Sequence, residues 1–191
     1  EFRHETSRSK AVLEDLIGRG VAGYRAASFS IVRRSMWALD VLLDLGFKYD
    51  SSVFPIHHDL YGIPDASPSP GVINTPQGRR ILEFPMSTAS WFGSRVPISG
   101  GGYFRLLPYW LTRAGLRQVN AQGRPFAFYL HPWEIDPGQP RIESGAVARF
   151  RHYTNLDICE GRLERLLDEF RFGRMIDVLR RVGFGTDLSP G

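Results

Sequence analysis

Cysteine is nearly absent: Cys159 stands alone, so no intrachain disulfide can form and no disulfide framework marks an oxidising compartment. Lysine is almost as scarce. Lys10 and Lys48 are the only two, and the net charge of +4 at pH 7 is carried by arginines. These are scattered, doubling up only in short pairs such as Arg33-Arg34, Arg79-Arg80 and Arg180-Arg181. That falls short of the basic stripe of a nucleic-acid binder, so no nucleic-acid partner is expected, only mild attraction for anionic glycans. No apolar run approaches the roughly 18 residues of a membrane span, and no membrane span is expected. The opening "EFRHETSRSK" lacks the layout of a secretory signal, and the chain, beginning at Glu1, reads as cut at its front end.

Several catalytic signatures are missing too. There is no Gly-x-Ser-x-Gly elbow, and Cys159 lies in the polar stretch "TNLDICEG" without a neighbouring His, so covalent catalysis has little support. The glycines 100 to 102 precede a helix, but no Gly-Lys-Ser/Thr ending follows them and no Gly-x-Gly-x-x-Gly spacing contains them; they read as a tight turn or a cleft lining. The five histidines include no His-x-x-x-His pair. In His57-His58-Asp59, adjacent side chains of an extended loop point apart, and a plain rim loop is favoured over a metal site.

What is present suits one soluble globular domain over 1–191, with 42% hydrophobic and 23% charged residues. Short β-prone stretches alternate with helices of about ten residues, the mark of βα units and an α/β fold with a parallel sheet. "SRSKAVLEDLIGRG" puts Val12, Leu13, Leu16 and Ile17 on one helix face, with Gly18 as the stop. "VAGYRAASFSI" reads as a strand ending near Arg25, Ser35 as the cap of a helix through "MWALDVLLDLG", and "FKYDSSVF" as a second strand. Residues 55–80 are rich in Pro, Gly and Ser and read as one long loop. "RRILEFPMSTASWF" reads as strand. "LLPYWLTRAGLRQVNAQG" reads as a helix with Leu107, Trp110, Leu111 and Ala114 on a shared face. "FAFYL" reads as a buried strand delivering His131, and "RLERLLDEF" and "GRMIDVLRRVG" as the last helices.

Three polar residues then fall at strand ends, where open α/β sheets and α/β barrels build their active rims: Arg25, Asp50 and His131. Each has a bland alternative. Arg25 would pair with a structural carboxylate, Asp50 would cap "SSVF" as an Asx turn, and His131 would bond a backbone carbonyl before Pro132. Trp133 adds a ring on which a sugar could stack.

At these residues the chain resembles the metal-dependent polysaccharide deacetylases of the NodB-homology type, and within them the branch associated with bacterial exopolysaccharide and exosortase (PEP-CTERM) systems. The likeness runs through "GYRAASFSI", "YDSSVFPIHHDLYGIPDASP", "LEFPMST", "GGGYFRLLPYWL", "FYLHPWEIDPGQPR" and "FRHYTNLD", which together cover most of the chain. It implies a distorted (β/α) barrel, incomplete in this chain, and an enzyme that removes acetyl groups from an acetylated polysaccharide or oligosaccharide. It also implies a divalent metal, commonly zinc, held by Asp and His ligands whose motifs precede this sequence, so that no residue of the chain is assigned as a ligand and the chain alone is expected to be inactive. Arg25 in "Arg-Ala-Ala-Ser" matches the arginine that orients the catalytic base, with Ala27 in place of the usual Pro. His131 matches the general acid, and Leu130 a wall of the acetyl pocket. Tyr24, Ser28 and Trp133 are further candidate substrate contacts. Val53 stands where the carboxylate that tunes the histidine belongs, leaving Asp50 or Glu134 for that task. A bacterial protein of the cytoplasm or of the periplasm and cell envelope is implied, and both compartments stay open. The alternative from a different class is a non-catalytic glycan-binding or scaffold domain that kept the fold without the metal.

Overall fold

The computed structural model describes residues 1–58, 61–185 and 188. It is a mixed α/β protein in which parallel strands alternate with helices, as expected. The chain divides into two compact units, residues 1–86 with 174–191 and residues 87–173.

In the first unit, helix α1 (Phe2–Ile17) contains neither Gly nor Pro and stops at Gly18, whose φ of 65° lets its N–H close back on the Glu14 carbonyl at 2.9 Å. Its buried side is not the apolar stripe. Phe2 meets Tyr24 and Trp37 edge-on, and Lys10 lies over the Phe47 ring, while Val12, Leu13, Leu16 and Ile17 are all exposed. Periodicity marks a face but cannot say whether anything covers it. Helix α2 (Trp37–Asp44) buries Ala38, Leu39 and Leu42 against Ile31, Phe47 and Ile81. Each large aliphatic or aromatic side chain so buried contributes about 1.5–3 kcal/mol. Ser35 does not cap this helix. It closes the preceding turn, accepting from the Val32 N–H and donating to the Ser30 carbonyl.

The strands are β1 (Gly23–Tyr24), β2 (Tyr49–Asp50), β3 (Gly71–Asn74) and β4 (Arg80–Glu83), in the order β1-β2-β4-β3. β1, β2 and β4 are parallel, with Tyr24 opposite Asp50 and Asp50 opposite Glu83. β3 is antiparallel to β4, which corrects the reading of 55–80 as loop throughout. The Thr75–Arg79 turn joining them is anchored from α2: Thr75 Oγ1 and the Gln77 N–H donate to the buried Asp40 carboxylate, and Arg79 donates to the Asp40 carbonyl. A turn fixed by a partner 35 residues away leaves no local signature. Among the described residues the strands form this open sheet and one hairpin, and no closed barrel.

The second unit begins with that hairpin, β5 (Thr88–Trp91) and β6 (Ser94–Pro97). Its turn has positive φ at both Phe92 (51°) and Gly93 (77°), where Asn-Gly would be the relaxed choice. Holding Phe there costs about 1 kcal/mol. Helices α3 (Gly101–Leu106) and α4 (Tyr109–Ala121) are separate, broken at Leu107-Pro108 rather than continuous. α4 buries Thr112, Gly115, Leu116 and Val119 against the hairpin, and a Cβ on Gly115 would come 2.8 Å from Ile98 Cγ2. The expected apolar face is thus the outer one: Trp110 and Ala114 are exposed.

α5 (Ala146–Tyr153) and α6 (Cys159–Glu169) complete this unit; Leu166 and Phe170 are buried and Leu167 is exposed. α7 (Met175–Leu179) belongs to the first. "FAFYL" is extended but is not a strand, since its ladder contact is a single bridge from Tyr129 to Gly100.

Candidate functional site

Parallel pairing of β1, β2 and β4 brings Arg25, Asp50 and Glu83 to one end of the sheet, the end at which open α/β proteins bind ligands. Asp50 is fully buried. Its carboxylate accepts from the Ser52 N–H at 3.0 Å and the Ser52 hydroxyl at 2.7 Å, the Asx turn offered as its bland role. Glu83, also buried, accepts from the Val53 N–H at 3.0 Å through Oε1. Its Oε2 meets no donor among the described residues, and the Asp50 carboxyl is its charged neighbour. Burial, then the neighbouring Asp50 charge, holds Glu83 well above the usual carboxylate range, and burial also raises Asp50. Of the two neighbouring carboxyl groups, Glu83 is the one whose protonated form burial and the Asp50 charge favour more strongly.

Arg25 stands beside the pair. It donates through Nε to the Ser51 carbonyl at 3.0 Å and through Nη2 to the Ser51 hydroxyl at 2.8 Å, and its charge opposes the rise at Glu83. Ser51 passes the contact on to the Phe84 carbonyl at 2.7 Å, and the Ser52 hydroxyl accepts from the Ala26 N–H. The strand ends are therefore tied to one another by hydroxyls as well as by the ladder. Ser28 is exposed in a tight turn at Ala27–Phe29 with a φ of 53°. Tyr24 turns away from this end. Its ring packs edge-on against Phe2 and Phe47, and burial raises its phenol. It is half-buried and packs against the core of this unit.

His131, Leu130, Trp133 and Glu134 belong to the other unit. His131 is exposed, its imidazole stacked on the Trp133 indole with centroids 4.1 Å apart and planes 8° from parallel. The single turn Pro132–Ile135 that follows is pinned by Glu134, whose Oε2 accepts from the His131 backbone N–H at 3.0 Å. Glu134 reaches His131 through the main chain, so tuning of the ring by this carboxylate is not what the contact does. Its other oxygen accepts from Arg105 Nε at 3.0 Å, with both side chains almost wholly buried. Arg105 also donates to the Thr154 and Arg151 carbonyls, at 2.7 and 2.8 Å, joining α3 and α5 to the histidine turn. Leu130 packs against the core of this unit. Gly100 and Gly101 lie under Tyr129: a Cβ on the first would overlap the Tyr129 carbonyl oxygen, and one on the second its ring. Close packing explains this turn.

Of the residues expected to converge, Arg25 and Asp50 do so, and Glu83 joins them unannounced. One signal could have found it, an acid set between Leu82 and Phe84 in an otherwise apolar strand. His58 stacks on Tyr61, and Asp59 lies outside the described residues. Cys159 is buried, its thiol pushed up to about 11 by desolvation and then by Glu134, which suits a structural cysteine. Among the described residues no three His, Cys, Asp or Glu side chains form a group that could hold a metal ion, and no helix is long and apolar enough to cross a membrane.

A family model described as "Domain of unknown function (DUF3473)" matches residues 51–180, a segment that contains Asp50's partner Glu83 and all of the His131 turn. No curated protein and no solved structure matches the chain.

Proposed function

Because the chain belongs to the DUF3473 family, which is associated with polysaccharide deacetylases, we propose that it is part of a hydrolase that removes acetyl groups, N-acetyl groups of an exopolysaccharide above all. The observation that carries this reading is the Asp50–Glu83 carboxyl pair, buried beside Arg25 at the carboxyl ends of three neighbouring strands. A buried pair of acids with raised pKa values in that position suits proton transfer, and an arginine beside it orients a carboxylate or an oxyanion. The finer likeness, to the NodB-homology type and its exosortase-associated branch, rests on the sequence blocks and on the parallel β1, β2 and β4, the arrangement an incomplete (β/α) barrel would present.

The deacetylases of this resemblance use a divalent metal, commonly zinc. The described residues do not fit it, since no donor group of sufficient size is among them. Their roles are other ones. His131, exposed and held at its main chain by Glu134, is the candidate to protonate the leaving amine or hydroxyl, and Trp133 the surface for a sugar ring. Arg25 fixes Ser51 and the charge balance of the acid pair.

Calorimetric titration with fully N-acetylated chitotetraose and with its deacetylated form, alongside a zinc-supplemented acetate-release assay, tests this. The expected result is binding that prefers the acetylated sugar, weakened in Trp133→Ala, with no acetate released by the 191-residue chain. Failure to bind the acetylated sugar would overturn the deacetylase reading, and zinc-dependent acetate release would overturn the assignment of the metal to residues other than these. The second reading is a glycan-binding or scaffold domain without catalysis. An Asp-Asp motif and a His-x-x-x-His pair in the reading frame upstream of Glu1 would decide for the enzyme.

A further inference from the structure

The outer side of the hairpin unit is unlike the rest of the protein surface. Trp91, Phe92, Val96, Trp110, Leu111 and Ala114 line an open groove of about 590 Å³, with Ser94 the lone hydroxyl among them. Phe92, at the strained tip, is fully exposed, and Trp110 is 66% exposed. A phenylalanine kept at positive φ and out of the core does nothing for the isolated fold. Strain retained at such a place points to use by a partner.

The charge contributed by this stretch of the chain is of one sign, and the one carboxylate that meets it is Glu169 of α6, paired with Arg113 and 4.0 Å from the more exposed Arg117. From Phe84 to Trp133 the sequence contains no Asp, Glu or Lys, and it carries Arg95, Arg105, Arg113, Arg117 and Arg124. Arg105 is buried. The others lie on the hairpin, on α4 and just beyond it, and Arg124 is held beside Arg95 so that like charge faces like charge. Trp110, Ala114 and Arg117 follow at i, i+4 and i+7 on the outer face of α4.

We propose that the β5–β6 tip and the outer face of α4 dock on an anionic lipid bilayer, the aromatic rings entering the headgroup boundary and the arginines meeting lipid phosphates. Trp and Phe favour that boundary, and an apolar wedge ringed by arginine is the recognised composition of a surface that lies on a membrane without crossing it. A sugar chain fits less well. Sugar hydroxyls need carboxylates or amides around the stacking rings, and the groove has neither; the nearby Gln118 amide is already spent on both backbone groups of Ser90.

Co-sedimentation with vesicles of phosphatidylcholine alone and of phosphatidylcholine mixed with phosphatidylglycerol tests the proposal. The chain should pellet with the mixed vesicles and little with the neutral ones, and added salt should release it. Phe92→Asn relaxes the turn, so it should keep or raise the thermal midpoint while weakening vesicle binding about tenfold, and Trp110→Ser should act in the same direction. Arg117→Glu should weaken binding at least fivefold. Absence of binding to anionic vesicles, or Phe92→Asn and Trp110→Ser variants that bind as well as the parent, would overturn it. So would vesicle-blind protein whose self-association, or binding of a neutral oligosaccharide, is what these two variants abolish.

Discussion

Glu83 accepts from the Val53 N–H with one oxygen and has the Asp50 carboxyl as its neighbour, so its two simplest replacements should behave oppositely. Glu83→Gln can keep both contacts, its carbonyl accepting from Val53 and its amide donating to Asp50. Glu83→Ala strands a buried N–H and should destabilise by about 1–3 kcal/mol. The pH dependence has a definite sign. Both carboxyl pKa values are raised in the folded state, so the native pair holds protons that the unfolded chain releases near pH 4. The pair's stabilisation is full below about pH 4 and is lost as pH rises through the raised values. Urea unfolding at a series of pH values should show stability falling from pH 4 upward in the parent and a flatter profile in Glu83→Gln. An identical slope in the two would show that the pair carries no raised pKa. At this scale the sequence was informative about residues whose place follows from a strand end, such as Arg25, Asp50 and His131. Glu83 was overlooked because strand pairing, not spacing, sets it opposite Asp50. For Tyr24 a two-residue strand gives no alternation from which to tell the core face from the rim.

Among the elements, the histidine turn depends on the ion pair between its own Glu134 and Arg105 of α3. Arg105→Met would leave the Glu134 carboxylate buried without its guanidinium and release the Arg151 and Thr154 carbonyls. It should cost about 3–5 kcal/mol, read as a lowered denaturation midpoint. The double variant Arg105→Met with Glu134→Leu should recover part of that loss while freeing the His131 N–H. A single variant of full parental stability would mean that the pair holds nothing together. Helices were the legible elements. α1, α2, α4 and α6 stand where 3.6-residue periodicity puts them. Which face each buries was less legible: α1 and α4 turn their apolar stripes outward, because a stripe records an affinity and not the neighbour that satisfies it. β3 has no local signature inside its proline-rich segment since its turn is held by Asp40 from α2, and the apolar run "FAFYL" does not guarantee a paired neighbour on either side.

For the whole molecule, the division into two units has a thermodynamic consequence. Ala89, Ile98, Phe104, Leu116, Leu166 and Phe170 form a core drawn entirely from residues 87–173, and Leu39, Leu42, Phe47 and Ile81 one drawn from the remainder. The continuous segment 87–173, expressed alone, should therefore give a helical spectrum and a cooperative melt. A featureless coil would show that its core needs the rest of the chain. The alternation of strand and helix fixed the α/β class in advance, but nothing in composition or periodicity marks the join near Met86, which falls inside a run read as unbroken strand. The Gly100-Gly101 turn beneath Tyr129 bears on how this molecule can change over generations. At position 100 the obstruction is a main-chain carbonyl, which every possible residue 129 would carry, so descent should leave that glycine untouched. At 101 the obstruction is the tyrosine ring itself, and a lineage that first trades Tyr129 for something small gains one more degree of freedom there, limited by a φ of 58°. The two adjacent glycines are one letter repeated, yet they answer to different histories.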